Sequence, residues 1–449
     1  MPKRLMSKAR LLAVPLFLLL LPASLPAQGN EEAWKLHMEA ASAAIRANNP
    51  DVDNADEVLF ALGNALREAE TFGPGDQRLA NTLSLMAAFH RSQGEVEQAE
   101  SLYLRLITVL ERSQGPDSPS VANALDTLVG LHQEEYRLIQ EEAAQLQEEH
   151  AEREDQPHTP PGQATGQAHE HDVHLEAAAK LLQRSLAIRE KAFGMDDASV
   201  DASVNRLAVV YDAQGKYGEA KELLQRSLET RERVFGKDAP EVASSHYNLG
   251  ILAKKQGDLA AAEALLKRSW QIREKHFGLQ DLELERSLGA LASIYMEQRK
   301  FEDAERLLKL SLSIRENKLG RDHPSIVPVL GSLSGLYALQ NRPAEVQRLL
   351  ERSLALEEKS LGKEHEFLVP TLNNLALAHM AQEHYGEATR IWERVVTIQE
   401  TNSGIFHASL LPTLEALFEA YKKQGKQQES IRIGRRIEVV SEMSGQHEH

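Results

Sequence analysis

The feature that most constrains this chain is a step of 42 residues that does not slip. Phe193-Gly194 returns as Phe235-Gly236 and Phe277-Gly278, then as Leu319-Gly320, Leu361-Gly362 and Ser403-Gly404. Upstream, Gly73 and Gly115 are also 42 apart, but Gly115 and Gly194 are separated by 79, one period plus 37. A fixed period of this length means a stack of supersecondary units, each burying its apolar face on its neighbours.

One unit, from Asp196 to Gly236, predicts the rest. Val200, Val204, Leu207, Ala208 and Tyr211 fall at helical spacing, Gln214-Gly215 ends that run, and Tyr217, Ala220, Leu223, Leu224, Leu228 and Arg231 start another that Phe235-Gly236 ends. Two amphipathic helices joined by a short turn make an antiparallel pair. Glycine closes each helix because it takes a left-handed conformation without strain. Asp117, Asp238 and Asp322 stand two residues before Pro119, Pro240 and Pro324, so acids are expected to cap helices whose first turn holds proline. Small residues in register, Ala208, Gly250, Ala292, Ser334 and Ala376 on first helices and Ala178, Ala220, Ala262, Ala304 and Ala388 on second helices, mark close crossings. Phe193 is expected to pack between neighbouring pairs. The fold class is all-α: an α-solenoid, a right-handed superhelix of antiparallel helix pairs.

The order along the chain follows. Residues 1–27 read as a cleaved signal peptide: Lys3, Arg4, Lys8 and Arg10, the apolar run Leu11 to Leu21, then small residues up to Ala27. That run is too short to cross a bilayer, which takes about 20 apolar residues. Residues 31–136 hold N-terminal helical repeats, the first degenerate. Residues 137–173 form an acidic, histidine-rich insert within one repeat. Its first half is able to prolong the preceding helix, while its second half, with Pro157, Pro160, Pro161, Gly162 and Gly166, is expected to be disordered. The regular array fills 174–440, and 441–449 is a polar tail. The expected location is exported, in the periplasm or outside the cell, with no stable membrane insertion after signal cleavage.

Several chemistries are excluded. The net charge of −16 disfavours nucleic acid, which needs a basic face. With no cysteine there is no disulfide, thiolate site or cysteine nucleophile. Gly331-Ser-Leu-Ser-Gly335 has leucine where a nucleophile elbow needs serine. There is no phosphate-binding Gly-Lys-Ser/Thr loop and no His-Glu-x-x-His motif. No enzyme and no cofactor is expected. The recurring Arg189-Glu190, Arg231-Glu232 and Arg273-Glu274 read as surface charges.

These residues resemble the tetratricopeptide repeat. Leu207-Ala208, Tyr211 and Ala220 stand at that family's Leu-Gly, Tyr and Ala, and the 42-residue period with the wording of 217–236 and 373–376 is similar to the kinesin-light-chain type. The resemblance covers most of 76–440 and reaches weakly back to 31. The heptad region by which kinesin light chains join a motor is missing. The resemblance implies an interaction scaffold that holds a peptide or partner helix on an inner surface lined by first helices. Carried over by position, the inward candidates are Asn205, Arg206, Tyr247, Asn248, Lys254, Arg286, Asn373 and Asn374. Asparagine offers both a donor and an acceptor to a peptide backbone, and the cations suit a carboxylate. The alternative is a zinc, nickel or copper buffering or sensing protein using His169, His171 and His174, since imidazole suits those metals.

Overall fold

The computed structural model describes residues 30–46, 55–151 and 163–446, with side chains described outside 138–172 and 444–446. The proposed signal peptide lies outside the described residues. Among them the chain forms eighteen α-helices and no strand. Two compact units divide at Ser118. The first pairs α1 (Glu31–Arg46) with α2 (Ala55–Thr71) and α3 (Gln77–Ser92) with α4 (Val96–Gln114). The second begins with α5 (Pro119–Ala151) against α6 (Gln163–Phe193), then α7 (Ala198–Ala213) with α8 (Tyr217–Phe235) and α9 (Pro240–Lys255) with α10 (Leu259–Phe277). It continues with α11 (Glu285–Glu297) and α12 (Phe301–Leu319), α13 (Val327–Leu339) and α14 (Pro343–Leu361), α15 (Val369–Ala381) and α16 (Tyr385–Ser403), and α17 (Leu411–Lys423) and α18 (Gln427–Gln446). Within this unit each second helix also packs on the next first helix. The architecture is a helical-repeat solenoid.

The landmark glycines act as the period requires. Gly194 and Gly236 have φ of 81° and 86°, and the Gly236 amide donates to the Glu232 carbonyl at 3.0 Å, closing α8. The small-residue crossings are tight: Ala220, Ala262, Ala304 and Ala388 are fully buried, and a Cβ on Gly250 would lie 2.8 Å from Leu266 Cγ.

Four expectations need correction. Phe193 and Phe235 are about half exposed, 49% and 51%, because they end their helices beyond the last packed turn. Ala208, Ala220, Leu224, Leu249 and Leu252 fill the seam between pairs instead. Asp238 and Asp322 do not cap. Ala239 and His323 occupy the cap positions, and the two acids reach Lys275 and Lys359 instead. Lys275, with Arg268, holds the Asp238 carboxyl down at about 2. The helix α6 starts at Gln163 and so runs through Gly166, where irregular chain was expected. The prolines precede that start, and one glycine costs a helix only about 1 kcal/mol.

The recurrent arginines are not surface charges. Arg189 and Arg273 are buried, 7% and 4% exposed. From α6, Arg189 donates to Asp126 Oδ2 on α5 at 2.7 Å and to Ser203 Oγ on α7 at 2.6 Å. Arg231 repeats this with Asp201 (2.6 Å) and Ser245 (3.0 Å), and Arg315 with Glu285 (2.7 Å). Arg273 has hydroxyl partners only, Ser269, Ser287 and Ser244, because Ala243 stands at the acid's place. Its guanidinium is pushed down by burial and by Arg286. Further on, Glu357 and Gln399 replace the arginine. Burial raises the Glu357 carboxyl, which accepts from Thr371.

Candidate functional site

In α7, residues 198, 202, 209 and 213 are exposed, with Asn205 and Arg206 half-buried beside them. In α15 the same stripe is 370, 374, 377 and 381. Helical spacing puts these residues on one face, and the 42-residue step brings the equivalent positions of α9, α11, α13 and α17 into line with them.

The eight residues taken from the sequence fall on or beside this stripe, and several are engaged by neighbours. Asn205 Nδ2 donates to the Asp201 carbonyl at 2.8 Å and to Ser227 Oγ at 2.9 Å, and its Oδ1 is buried without a donor. Asn373, in the same register, also has a buried Oδ1 without a donor. Arg206 reaches back to Asp126 Oδ2 at 2.8 Å. The Arg286 guanidinium of α11 lies 4.8 Å from the ring centroid of Tyr247 on α9, a cation–π contact between neighbouring first helices. Lys254 bridges to α11 through Glu297 (2.7 Å) and Ser293 (2.6 Å). Asn248 is half-buried and Asn374 exposed.

Sequence reasoning did not single out the apolar members of the stripe. Val209 and Leu377 are 59% and 56% exposed, one turn after Arg206 and Asn374. That i+3 spacing was the available signal. Between them, Gly289 of α11 and Gly331 and Gly335 of α13 leave open space: a Cβ on any of the three would meet nothing within 4 Å.

Of the three histidines proposed as ligands, the side chains of His169 and His171 lie outside those described. His174 of α6 is half-buried, its ring centroid 5.7 Å from that of His132 on α5.

Residues 78–151, 199–275 and 283–359 match one family model of the tetratricopeptide repeat, and residues 371–409 match a second of the same description. The chain belongs to the tetratricopeptide repeat family. Solved structures similar to it include a putative kinesin light chain with nearly identical TPR-like repeats from Podosopora anserina. That match has 26% identity and a TM-score of 0.42, and covers 45% of this chain and 96% of that one. BtubC (BKLC) from P. vanneervenii is similar at 19% identity and a TM-score of 0.40, over 65% of this chain and 92% of that one. A signal-transduction ATPase of Pyrococcus horikoshii with a tetratricopeptide repeat sensor matches 91% of this chain with 52% of its own length, at 11% identity and a TM-score of 0.50. This last likeness is one of fold alone. No curated protein matches the chain. Among the described residues no helix is long and apolar enough to cross a membrane.

Proposed function

We propose that this tetratricopeptide repeat protein is a non-enzymatic interaction scaffold that seats an extended peptide or a partner helix along its first-helix stripe. The observation that carries the reading is the mixture on that stripe. Val209 and Leu377 are exposed beside Arg206 and Asn374, with the open glycines 289, 331 and 335 between them. Single exposed apolar groups beside polar ones, repeated along one face of a stack, suit an extended partner. Glycine lets a partner backbone approach closely, and the exposed Asn374 amide offers that backbone a donor and an acceptor. Repeat stacks present such faces as extended binding surfaces. The partner is a protein or peptide. The net charge of −16 makes nucleic acid a poor fit. The basic and apolar start of the chain supports export to the periplasm or beyond.

The test is a selection of binders from a random-peptide library on the intact chain, followed by titration of the selected peptides against a Gly331→Arg, Leu377→Asp double variant. The expected result is at least about a tenfold loss of affinity, the cost of filling an apolar or close-approach contact, with an unchanged melting curve. Equal binding by the variant refutes the stripe as the binding face.

A further inference from the structure

The turn between first and second helices is built to one plan, and the α5–α6 pair departs from it. In the other pairs of the second unit the first helix is capped by a glutamine: Gln214, Gln256, Gln298, Gln340, Gln382 and Gln424. Most of these turns place a cation over an aromatic ring, as with Lys216 on Tyr211 (5.7 Å), Lys300 on Tyr295 (5.5 Å), Arg342 on Tyr337 (4.3 Å) and Lys426 on Tyr421 (5.5 Å). Shifting by 79 on the first helix and 42 on the second puts His132 at the Tyr211 position, Glu135 at that of Gln214 and His174 at that of Lys216. All three residues of the plan are thereby changed to metal-ligand types in one pair.

Their geometry suits one ion. Glu135 Oε2 lies 3.5 Å from His132 Nδ1 and 3.2 Å from His174 Nδ1, and the two Nδ1 atoms are 3.4 Å apart. Ligand atoms around a tetrahedral zinc with bonds of about 2.0–2.1 Å are separated by about 3.3 Å. His132 and Glu135 share a face of α5 by their i, i+3 spacing, and α6 supplies the third ligand from across the pair. Glu135 Oε2 is buried and accepts no hydrogen bond, although its charge needs compensation. The side chains of Glu135 and His174 keep 20% and 24% of their surface, so a fourth position opens toward solvent. Among the described residues no other three histidine or acidic side chains converge in this way.

We propose that His132, Glu135 and His174 bind a divalent transition-metal ion of the zinc type, with water as the fourth ligand. The ion pins α5 to α6 within the pair, well inside both helices. Two imidazoles and one carboxylate match the preference of such ions for nitrogen with an anionic oxygen, and the site needs none of the histidines at 169, 171, 447 or 449.

The test uses the full-length chain, free of any tag and stripped of metal, titrated with zinc alone by calorimetry and with cobalt by visible absorption. One ion per chain is expected, with a tetrahedral cobalt spectrum. Glu135→Gln restores the residue used by the other pairs and so keeps the fold, and it should weaken binding by about tenfold or more. His174→Lys should do the same, whereas His169→Ala/His171→Ala and His447→Ala/His449→Ala should bind as the parent does. Zinc should also slow amide exchange around residues 132–136 and 174–178. Absence of binding by the parent chain overturns the proposal. So does one-to-one binding that survives Glu135→Gln, or that disappears with His169 and His171 alone.

Discussion

The α5–α6 and α15–α16 pairs both carry histidine at the same two repeat positions, yet their third residue differs. The ring centroids are 5.7 Å apart for His132 and His174 and 5.9 Å apart for His379 and His384. Between the second pair stands Gln382, whose Nε2 donates to the Ala378 carbonyl at 3.0 Å and to Gln347 Oε1 on α14 at 2.9 Å. Between the first pair stands Glu135, which has no N–H to donate and turns its charge on the two rings. With near-equal ring spacing, the amide ties its turn to α14, whereas the carboxylate completes the set proposed to bind metal. The difference teaches that in a repeat the chemistry of one position is judged against its own copies.

The largest expected effect tests what the two pairs share. Ala178 and Ala388 occupy the same close crossing, both at most 1% exposed. Leucine at either, as at Ala220, should overpack the crossing and cost about 1–3 kcal/mol. Denaturant melts of Ala178→Leu and Ala388→Leu should show similar losses. A melt unchanged by Ala220→Leu would contradict the crossing itself.

The next effect separates the pairs. Gln382→Glu removes the hydrogen bonds that Nε2 donates, to the Pro343 carbonyl as well as to Ala378 and Gln347, and should destabilise the protein by about 1–2 kcal/mol. Glu135→Gln in metal-free protein should leave stability nearly unchanged. Equal effects in urea unfolding would erase the distinction drawn between the two pairs.

The smallest effect is in pH. Burial holds the His379 imidazole below its ordinary value, with the nearby Glu351 and Glu387 opposing this. A histidine depressed in the folded state contributes stability that is present above the unfolded value near 6.5 and is lost as pH falls through the folded one. His379→Tyr, the residue found at this place in α7, α11, α13 and α17, should flatten the decline of Tm below pH 6.5. An identical Tm profile for the two proteins would show that His379 is not responsible.

Much of the fold was legible because its causes are local. The 42-residue step, Gly194 and its copies, and the buried alanines at 220, 262, 304 and 388 can all be read from spacing alone. The environment of the arginines was not legible, for the opposite reason. Arg189 follows helical spacing on α6, but whether it meets water or Asp126, 63 residues earlier, depends on how the helices stack. The stripe was half legible: polar positions carried over by register, while the exposure of Val209 and Leu377 needed the packed neighbours to be seen. The histidine cluster was hidden by the insert, which separates His132 from His174 by 42 residues, whereas their counterparts His379 and His384 flank a single turn.

The sequence by itself determined the unit, its period and its termini, because helix periodicity, glycine conformation and side-chain volume act within a few residues. Tertiary structure alone decided which polar groups are buried together. Arg273 among hydroxyls, Glu357 under Thr371, and Glu135 between two imidazoles are brought together by helix pairing. The physical reason is that a charge's surroundings are set by what is packed against it, and in this solenoid that is chain from another helix.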